Sequence, residues 1–333
     1  MVKLAIDIMG GDFAPDEIIK GVNLAMSTYD DLELTLFGDE VKINALLIPH
    51  PRVHVVHAPE KIDMGEKNPI SVIRRNKNIS LVQTFHALHE GLVDGAVTAG
   101  PTQGVIVASH LIVRRLPGMK RVALCPTLPM FAGKTRLLLD VGANIDIRPE
   151  HMLQHAMFAS VYVAETQHIE KPLVGLINIG AEPGKGRPLE QEIFQLLSNS
   201  SHINFYGNVE PKDILTTDCD ILITDGFSGN LVMKSIEGTA KALGMALKEE
   251  IARTLWGKIG YLFMKKNLKA FKKRMSADDV GGAVIFGVDG IIVKAHGSSN
   301  AFAFSRAIHQ ARLAVLGNVV SIMKEKLVAE NEQ

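Results

Sequence analysis

The sequence predicts an α/β protein built on a mainly parallel sheet that helices cover on both faces. Short runs rich in Val, Ile and Leu alternate with longer helix-like segments, and most of the short runs end in glycine. Strands buried on both faces are apolar throughout, so such runs between helices indicate a parallel sheet. The 333 residues, 47% of them hydrophobic, are enough for one large α/β unit or two domains.

The predicted strands and helices follow one another along the chain. The strand-like runs read LAIDIM, LELTLFG, VHVVHA, GAVTAG, RLLLDVG, LVGLINIG, INFYGN, DILITDG and GIIVKAHG. The main helix-like segments cover residues 17–29, 79–90, 149–167, 189–198 and 229–254. Open α/β sheets bind ligands where the carboxyl ends of strands meet their loops, so function is expected in the loops after these strands.

Charge and cysteine content exclude several classes of protein. The chain has 36 basic and 36 acidic residues, so its overall charge indicates no nucleic-acid partner. Cys125 and Cys219 lie far apart and form no paired motif, which indicates a reducing cytosol and argues against a disulfide framework or a zinc site. No apolar run approaches the roughly 18 residues of a spanning helix. We therefore expect a soluble protein, one that can still lie on a membrane surface.

Six strand-end loops share one composition, an apolar run followed by glycine and small polar residues. They read DIMGGDFAP, TAGPTQG, LDVGANIDIRPEH, INIGAEPGKGR, ITDGFSGN and KAHGSSNA. Glycine allows positive φ and close backbone approach, and consecutive backbone N–H groups bind anions. Glycine is common at strand–helix turns in any α/β protein, but six such loops on one sheet edge predict a long polar cleft with affinity for phosphate.

A few side chains in these loops are candidates for chemistry. His296 can donate to phosphate or to a developing oxyanion, or it can simply cap a turn. Lys185, between two glycines, can reach phosphate or remain solvated. Asp225, before Gly226, and Asn144 are either ligand-binding residues or ordinary turn residues. No Ser-His-Asp or Cys-His arrangement is indicated, so nothing in the sequence requires a nucleophilic side chain.

Six longer motifs together resemble the bacterial phosphate acyltransferase family. They read IDIMGGDFAP, LDVGANIDIRPEHMLQHA, INIGAEPGKG, YGNVE, TDGFSGNLVMKSIEG and GGAVIFGVDGIIVKAHGSSN, in order along nearly the whole chain. Each motif is weak alone, but the combination is specific. The resemblance implies transfer of a fatty acyl group from acyl-acyl carrier protein to inorganic phosphate, which yields acyl phosphate for phosphatidic acid and phospholipid synthesis.

The resemblance also implies an architecture and partners. The fold would be a three-layer α/β/α sandwich with one mixed, mainly parallel sheet, like isocitrate and isopropylmalate dehydrogenases and phosphotransacetylases. Residues 1–328 would form a single catalytic unit of two intertwined subdomains, with a polar tail at 329–333. We expect a cytoplasmic homodimer at the inner face of the membrane, without metal or organic cofactor, that passes its product to a glycerol-3-phosphate acyltransferase.

That reaction explains why no nucleophilic side chain is needed, because phosphate itself attacks the acyl group. We expect Lys185, His296 and Asn230 to be catalytic. Asp7 and Asp12 are expected to orient loop N–H groups or a lysine, since a carboxylate repels phosphate. The residues expected to bind phosphate or substrate are Gly10, Gly11, Asp12, Asn144, Gly184, Gly186, Asp225, Gly226, Ser228, Gly229, Gly297, Ser298 and Ser299.

One loop departs from the family pattern. The family usually has S-A-G-N-T-G-A where this chain has TAGPTQG, so Pro101 replaces asparagine and Gln103 replaces glycine. Proline has no backbone N–H to donate, which argues against a phosphate site in this loop. We expect the loop to line the channel for the acyl chain or pantetheine arm instead. In the last motif, Asn300 stands where the family commonly has aspartate.

Residues 251–275 form a basic segment, in which every charged residue is Lys or Arg and which carries the single tryptophan. Gly257 and Gly260 are expected to break it into two helices. Basic and apolar residues at helical spacing favour an anionic membrane surface, or docking of an acidic carrier protein. Packing on the core or on a second subunit is the plain alternative. The expected contact residues are Trp256, Leu262, Phe263, Lys265, Lys266 and Lys269.

Three other functions remain open from the sequence. A phosphate acyltransferase that uses coenzyme A would run the same chemistry with a smaller carrier. A metal- and NAD-dependent dehydrogenase on the related fold would need a cluster of aspartates, whereas the loops offer scattered ones. A non-catalytic scaffold would use the basic segment to recruit lipid enzymes to the membrane.

Overall fold

Strands and helices alternate along most of the chain. The computed structural model describes residues 1–129, 135–274 and 281–331. Its strands are β1 (Val2–Asp7), β2 (Leu32–Gly38), β3 (Val53–His57), β4 (Gly95–Thr98), β5 (Ala123–Pro129), β6 (Thr135–Leu139), β7 (Leu173–Ile177), β8 (Asn204–Val209), β9 (Ile221–Ile223), β10 (Ala283–Phe286) and β11 (Ile291–Lys294). Its α-helices are α1 (Asp16–Thr28), α2 (Glu40–Leu46), α3 (Pro69–Arg75), α4 (Ser80–His89), α5 (Thr102–Ala108), α6 (Pro149–Gln167), α7 (Pro188–Asn199), α8 (Gly226–Ala252), α9 (Leu255–Arg274), α10 (Ala301–Leu316) and α11 (Val319–Asn331).

The strands of the described residues form one mixed sheet in the order β3-β2-β1-β4-β11-β10-β5-β6-β9-β7-β8. The first five strands in this order are mutually parallel, and so are the last four. The three pairings between these sets, β11 with β10, β10 with β5 and β5 with β6, are antiparallel. The prediction of a mixed, mainly parallel sheet is confirmed.

Helices cover both faces of this sheet. Leu4 and Ile6 of β1 belong to a buried cluster that includes side chains of α1, α6 and α10. Ala5, between them, belongs to a second cluster with side chains of α4 and α5. Successive side chains of a strand point to opposite faces, so the two clusters mark the two sides of the sheet. The predicted three-layer α/β/α arrangement is confirmed.

The strand directions separate the predicted loops into two groups. Three antiparallel pairings lie between β11 and β6, so the set containing β1, β4 and β11 runs opposite to the set containing β6, β7 and β9. The carboxyl ends of the two sets therefore lie at opposite edges of the sheet. The expectation of six loops on one sheet edge is wrong, because it assumed that all these strands run the same way.

The helical segments also differ from expectation in their ends. The basic segment is broken at Arg253 and Thr254, between α8 and α9, whereas Gly257 and Gly260 lie inside α9, so the predicted break at these glycines is wrong. The last helix runs to Asn331, which includes the start of the expected polar tail. Residue 275 of the basic segment and residues 332–333 of the tail lie outside the described residues.

Candidate functional site

The loops after β1, β4 and β11 form the first loop group, with residues 8–15, 99–101 and 295–300. Asp7 ends β1 and is buried, and its carboxylate accepts hydrogen bonds from the Ser80 hydroxyl at 2.5 Å and the Thr98 hydroxyl at 2.6 Å. It also accepts the Met9 backbone N–H at 3.2 Å. Burial raises the pKa of Asp7, and these hydrogen bonds oppose the rise. Asp7 thus orients a loop N–H group, as the sequence indicated.

Glycines allow the loops of the first group to touch. A β-carbon on Gly10 would lie 2.5 Å from Asp7 Oδ2 and 2.8 Å from the backbone nitrogen of Gly100. Gly11 has φ of +113°, a conformation that favours glycine. The Asp12 backbone N–H donates to the Gly297 carbonyl at 2.8 Å, which ties the loop after β1 to the loop after β11. The two glycines therefore serve the packing of three loops against one another.

His296 is exposed in the first loop group and has a defined tautomer. The Ser298 backbone N–H donates to His296 Nδ1 at 3.2 Å, and the Ser298 hydroxyl lies 2.8 Å from the same nitrogen. A backbone N–H can only donate, so Nδ1 accepts and the neutral ring carries its proton on Nε2. No hydrogen bond of Nε2 occurs within the described ranges. This nitrogen is therefore free to donate to a ligand.

Backbone N–H groups at the start of α10, beside His296, already donate hydrogen bonds to side chains. The Ala301 N–H donates to the Glu17 carboxylate at 2.8 Å, and the Ala303 N–H donates to Asn300 Oδ1 at 2.9 Å. An anion at this edge would therefore need donors other than these two N–H groups. Within this loop, Gly297 and Ser299 are buried, while Ser298 is exposed.

The loops after β6, β7 and β9 form the second loop group, with residues 140–148, 178–187 and 224–230. Asp140 has the same place after β6 that Asp7 has at the end of β1. Its buried carboxylate accepts the backbone N–H groups of Leu124, Ala143 and Asn144 at 2.7 to 3.1 Å. It also accepts the Asn144 side-chain amide at 2.8 Å. Burial raises the pKa of Asp140, and these N–H donors oppose the rise.

The side-chain amide of Asn144 donates both of its hydrogens to groups inside the fold. Its Nδ2 donates to Asp140 and to the Val122 carbonyl at 2.5 Å, which uses both amide hydrogens. The Asn144 carbonyl accepts the Gly226 N–H at 2.8 Å, so this residue also joins the loop after β6 to the start of α8. Phosphate needs donors, and the side chain of Asn144 has none to spare in this structure.

A pair of buried asparagines holds the loop that carries Lys185. Asn178 Nδ2 donates to the Lys185 carbonyl at 3.0 Å and to Asn208 Oδ1 at 3.1 Å, and Asn208 Nδ2 donates to the Glu182 carbonyl at 2.8 Å. Gly186 has φ of +91°, and a β-carbon there would lie 2.6 Å from Asn178 Oδ1. The Lys185 side chain is 51% exposed, with Nζ 3.9 Å from the Glu182 carboxylate. The loop backbone is therefore fixed while the ammonium group remains accessible.

The start of α8 completes the second loop group. The Asp225 carboxylate accepts the Ser228 backbone N–H and hydroxyl, both at 2.8 Å, and pairs with Arg187 at 3.1 Å. Arg187 also pairs with Glu190, whose hydrogen bonds raise the pKa of the Arg187 guanidinium. The Gly229 backbone packs against Asp140, and Gly142 lies beside the Asn230 amide. The structure thus brings Asn230 and the loop of Lys185 to one edge of the sheet, while His296 lies at the other.

Sequence reasoning missed residues that hold the site together, and one buried cation. Asp140, Asn178 and Asn208 support the second loop group. Their only signal in the sequence is their position at the end of a strand. Lys294 ends β11, is 8% exposed, and was not among the predicted site residues. A lysine that closes an apolar run, as in GIIVK, is the signal that would have found it. Within the described residues, no three His, Cys, Asp or Glu side chains gather as a metal site.

Sequence comparison gives long and close matches. The sequence model of the family described as "Fatty acid synthesis protein" matches residues 2–322. The "Phosphate acyltransferase" of Acholeplasma laidlawii (strain PG-8A) is 51% identical over 334 residues and covers 100% of both chains. The "Phosphate acyltransferase" of Staphylococcus aureus (strain MRSA252) is 45% identical over 332 residues, again with 100% of both chains covered.

Comparison of structures supports the fold. A branched-chain phosphotransacylase from Enterococcus faecalis V583 superposes with a TM-score of 0.60 at 15% identity, covering 95% of this chain and 99% of its own. A phosphotransacetylase from Streptococcus pyogenes has the same score and identity, covering 96% and 94%. At this identity the likeness concerns the fold alone. The full-length sequence matches carry the assignment: the chain belongs to the phosphate acyltransferase family and is an acyltransferase.

Proposed function

We propose that this acyltransferase moves a fatty acyl group from the thioester of acyl-acyl carrier protein to inorganic phosphate. The products are acyl phosphate, which feeds phospholipid synthesis, and free carrier protein. The observation that carries the proposal is full-length identity of 51% and 45% to proteins named phosphate acyltransferase. The two groups of glycine-rich loops, with an accessible Lys185 and a donating His296, are consistent with an anionic substrate.

The reaction needs positioning and charge stabilisation more than a nucleophilic side chain. A phosphate oxygen attacks the thioester carbonyl, a tetrahedral oxyanion forms, and the carbon–sulfur bond breaks as a thiolate leaves. An enzyme accelerates these steps by holding phosphate against the carbonyl and by donating hydrogen bonds to the oxyanion. In the proposal, His296 Nε2 supplies a donor to the reacting groups at one edge of the sheet, while Lys185 and the Asn230 amide, at the opposite edge, bind another part of the anionic substrate. The rest of the predicted site residues shape the loops that carry these groups.

A hydroxamate trap tests the proposed reaction. Purified protein is incubated with phosphate and a long-chain acyl-acyl carrier protein, and hydroxylamine converts acyl phosphate into a measurable hydroxamate. We expect a hydroxamate that requires both phosphate and enzyme, together with release of one carrier thiol per acyl group. Absence of phosphate-dependent thiol release would contradict the proposal and would favour the non-catalytic scaffold.

A parallel reaction identifies the acyl donor. The same acyl chain is supplied on coenzyme A at matched concentration, because both donors carry the acyl group as a thioester. We expect faster transfer from the carrier protein. Transfer from acyl-coenzyme A alone would replace the proposed donor with coenzyme A. Activity that falls with EDTA, together with NAD binding, would point to the dehydrogenase alternative.

The helices α8 and α9 support a proposal about location and assembly. Beyond residue 236, nearly all of α8 is exposed, and α9 follows it with Trp256 at 81% and Phe263 at 84% exposure. We propose that α9, with its basic and exposed apolar residues, contacts an anionic membrane surface. The exposed length of α8 is proposed to pack on a second subunit. Contact with a glycerol-3-phosphate acyltransferase would follow from product delivery at that membrane.

No helix in the described part of the chain is long and apolar enough to span a bilayer.

A further inference from the structure

Lys294 is a buried lysine without a carboxylate partner. It ends β11 and is 8% exposed, and its Nζ donates to the carbonyl of Ala295 at 3.1 Å. No salt bridge to Lys294 occurs among residues 1–129, 135–274 and 281–331. A buried ammonium group is costly unless it is paired, so it is retained where its charge has a use.

The neighbours of Lys294 do not neutralise it. Thr98 is its register partner in β4, and the Thr98 hydroxyl donates to Asp7. Asp7 is therefore two strands away and already accepts hydrogen bonds from Ser80, Thr98 and Met9. Asp12, in the loop after β1, acts on Lys294 only at longer range. The carboxylates on this edge thus leave the positive charge of Lys294 unpaired.

The surroundings of Lys294 are those of the first loop group. Residues 295–300 follow it directly, and this loop contacts the Gly10–Gly11 turn through the Asp12–Gly297 hydrogen bond. A β-carbon on Gly297 would lie 2.6 Å from Met64 Cε, so the loops here pack closely above the strand ends. Burial, and then the charge of Lys234 on α8, lowers the pKa of Lys294 to about 8. Lys234 is itself paired with Glu237 at 2.8 Å, so the buried ammonium group of Lys294 is the unpaired positive charge here.

We propose that the Lys294 ammonium group binds the phosphate acceptor, at the edge of the sheet that carries His296. This inference rests on the proposed function and adds a residue that the sequence did not identify. A buried cation interacts with a phosphate oxygen more strongly than an exposed one, because water screens it less. Phosphate would supply the missing counter-charge, and His296 Nε2 a second hydrogen bond.

The first test uses Lys294→Met, which keeps the length of the side chain and removes its charge. We expect the apparent KM for phosphate to rise about tenfold or more, as loss of a charge-assisted hydrogen bond predicts, while the KM for the acyl donor stays within about twofold. Lys171→Met, at an exposed lysine before β7 that has no part in the proposed site or in the proposed subunit contact, is the matched control and should leave both constants unchanged. An unchanged KM for phosphate in Lys294→Met would overturn the proposal.

The second test needs no acyl donor and therefore stands apart from the proposed reaction. Inorganic phosphate should raise the Tm of the wild-type protein and of Lys171→Met, but not that of Lys294→Met. Without phosphate, Lys294→Met should melt at or above the wild-type Tm, because replacing an unpaired buried charge with an apolar side chain is neutral or stabilising. A lower Tm without phosphate would assign Lys294 a structural role and overturn the proposal. Wild-type protein that binds phosphate but forms no acyl phosphate would refute the proposed function alone.

The third test follows the protonation of Lys294. The titratable and charged groups around it are Asp7, Asp12, His296, and Lys234 with its partner Glu237. With a pKa near 8, the apparent KM for phosphate in the wild type should rise about tenfold between pH 7 and pH 9 as Lys294 loses its proton. Lys294→Arg stays charged over this range and should show a flat profile. The same rise in Lys294→Arg would assign the pH dependence to another group and count against the proposal.

Discussion

Asp7 and Asp140 show how single residues build the two loop groups. Each is a buried aspartate after an apolar strand and before a glycine, and each uses its carboxylate to hold loop backbone. The partners differ in kind. Two of the donors to Asp7 are hydroxyl groups, those of Ser80 and Thr98. Every donor to Asp140 is an N–H group. This difference has consequences for stability.

Asp140→Asn should destabilise the protein more than Asp7→Asn. Whichever oxygen becomes NH₂, an amide at position 140 would face at least one backbone N–H, which cannot accept, so hydrogen bonds are lost and buried donors are left unsatisfied. At position 7 the Thr98 hydroxyl can turn and accept instead. From typical values for such hydrogen bonds we expect losses of about 2–4 kcal/mol for Asp140→Asn and about 1 kcal/mol for Asp7→Asn, measured by urea unfolding. Equal losses would show that the donor type does not matter.

Lys185→Ala and His296→Ala should each lower turnover by at least about tenfold while the protein remains folded, because each removes a donor or a charge from one of the two loop groups proposed to hold the substrate. His296→Gln, which carries an amide nitrogen near the place of Nε2, should retain more activity than His296→Asn. Turnover is measured by thiol release from acyl-acyl carrier protein, with circular dichroism as the test of folding. The exposed residue change Lys171→Ala is the control. Near-wild-type rates for both alanine variants would remove these residues from the mechanism.

Among the secondary-structure elements, α9 departs most from local expectation. Gly257 and Gly260 were expected to end a helix, yet both lie within α9, and the chain turns at Arg253 and Thr254. The Thr254 hydroxyl accepts the Gly257 N–H at 2.9 Å, a capping interaction at the helix start. A threonine cap therefore decided the boundary, and glycine was tolerated within the helix because its cost is only about 1 kcal/mol.

The exposed apolar side chains of α9 make a prediction about lipid binding. Leu262→Glu/Phe263→Glu should abolish most co-sedimentation with anionic liposomes, since it removes apolar contact and adds negative charge beside a basic surface. Val41→Glu/Ile48→Glu changes two exposed apolar residues elsewhere by the same charge and should pellet like the wild type. Equal pelleting of the α9 variant and the control would contradict membrane contact and would leave carrier-protein docking as the role of this helix.

For the whole molecule, the motifs and the alternation of strands and helices identified the fold class and the family from the sequence alone. Most predicted strands and the helices at 149–167 and 189–198 occur within a residue or two of their predicted positions. The two strands at the centre were missed. β5 contains Pro126 and Pro129, which argue against a central strand, and β10 has only four residues.

Those two strands decide where the loops lie. Hydrophobic period and glycine placement are local properties, so the sequence by itself determined that strands, helices and glycine-rich loops exist, and which residues they carry. Strand order and direction depend on pairing between distant segments, such as β10 with β5, which local patterns do not encode. Only the tertiary structure therefore placed Lys185 and His296 on opposite edges of the sheet. The burial of Lys294 near His296 is likewise a property of the tertiary structure alone. Strand packing, and not the residues next to it in the chain, removes this lysine from water.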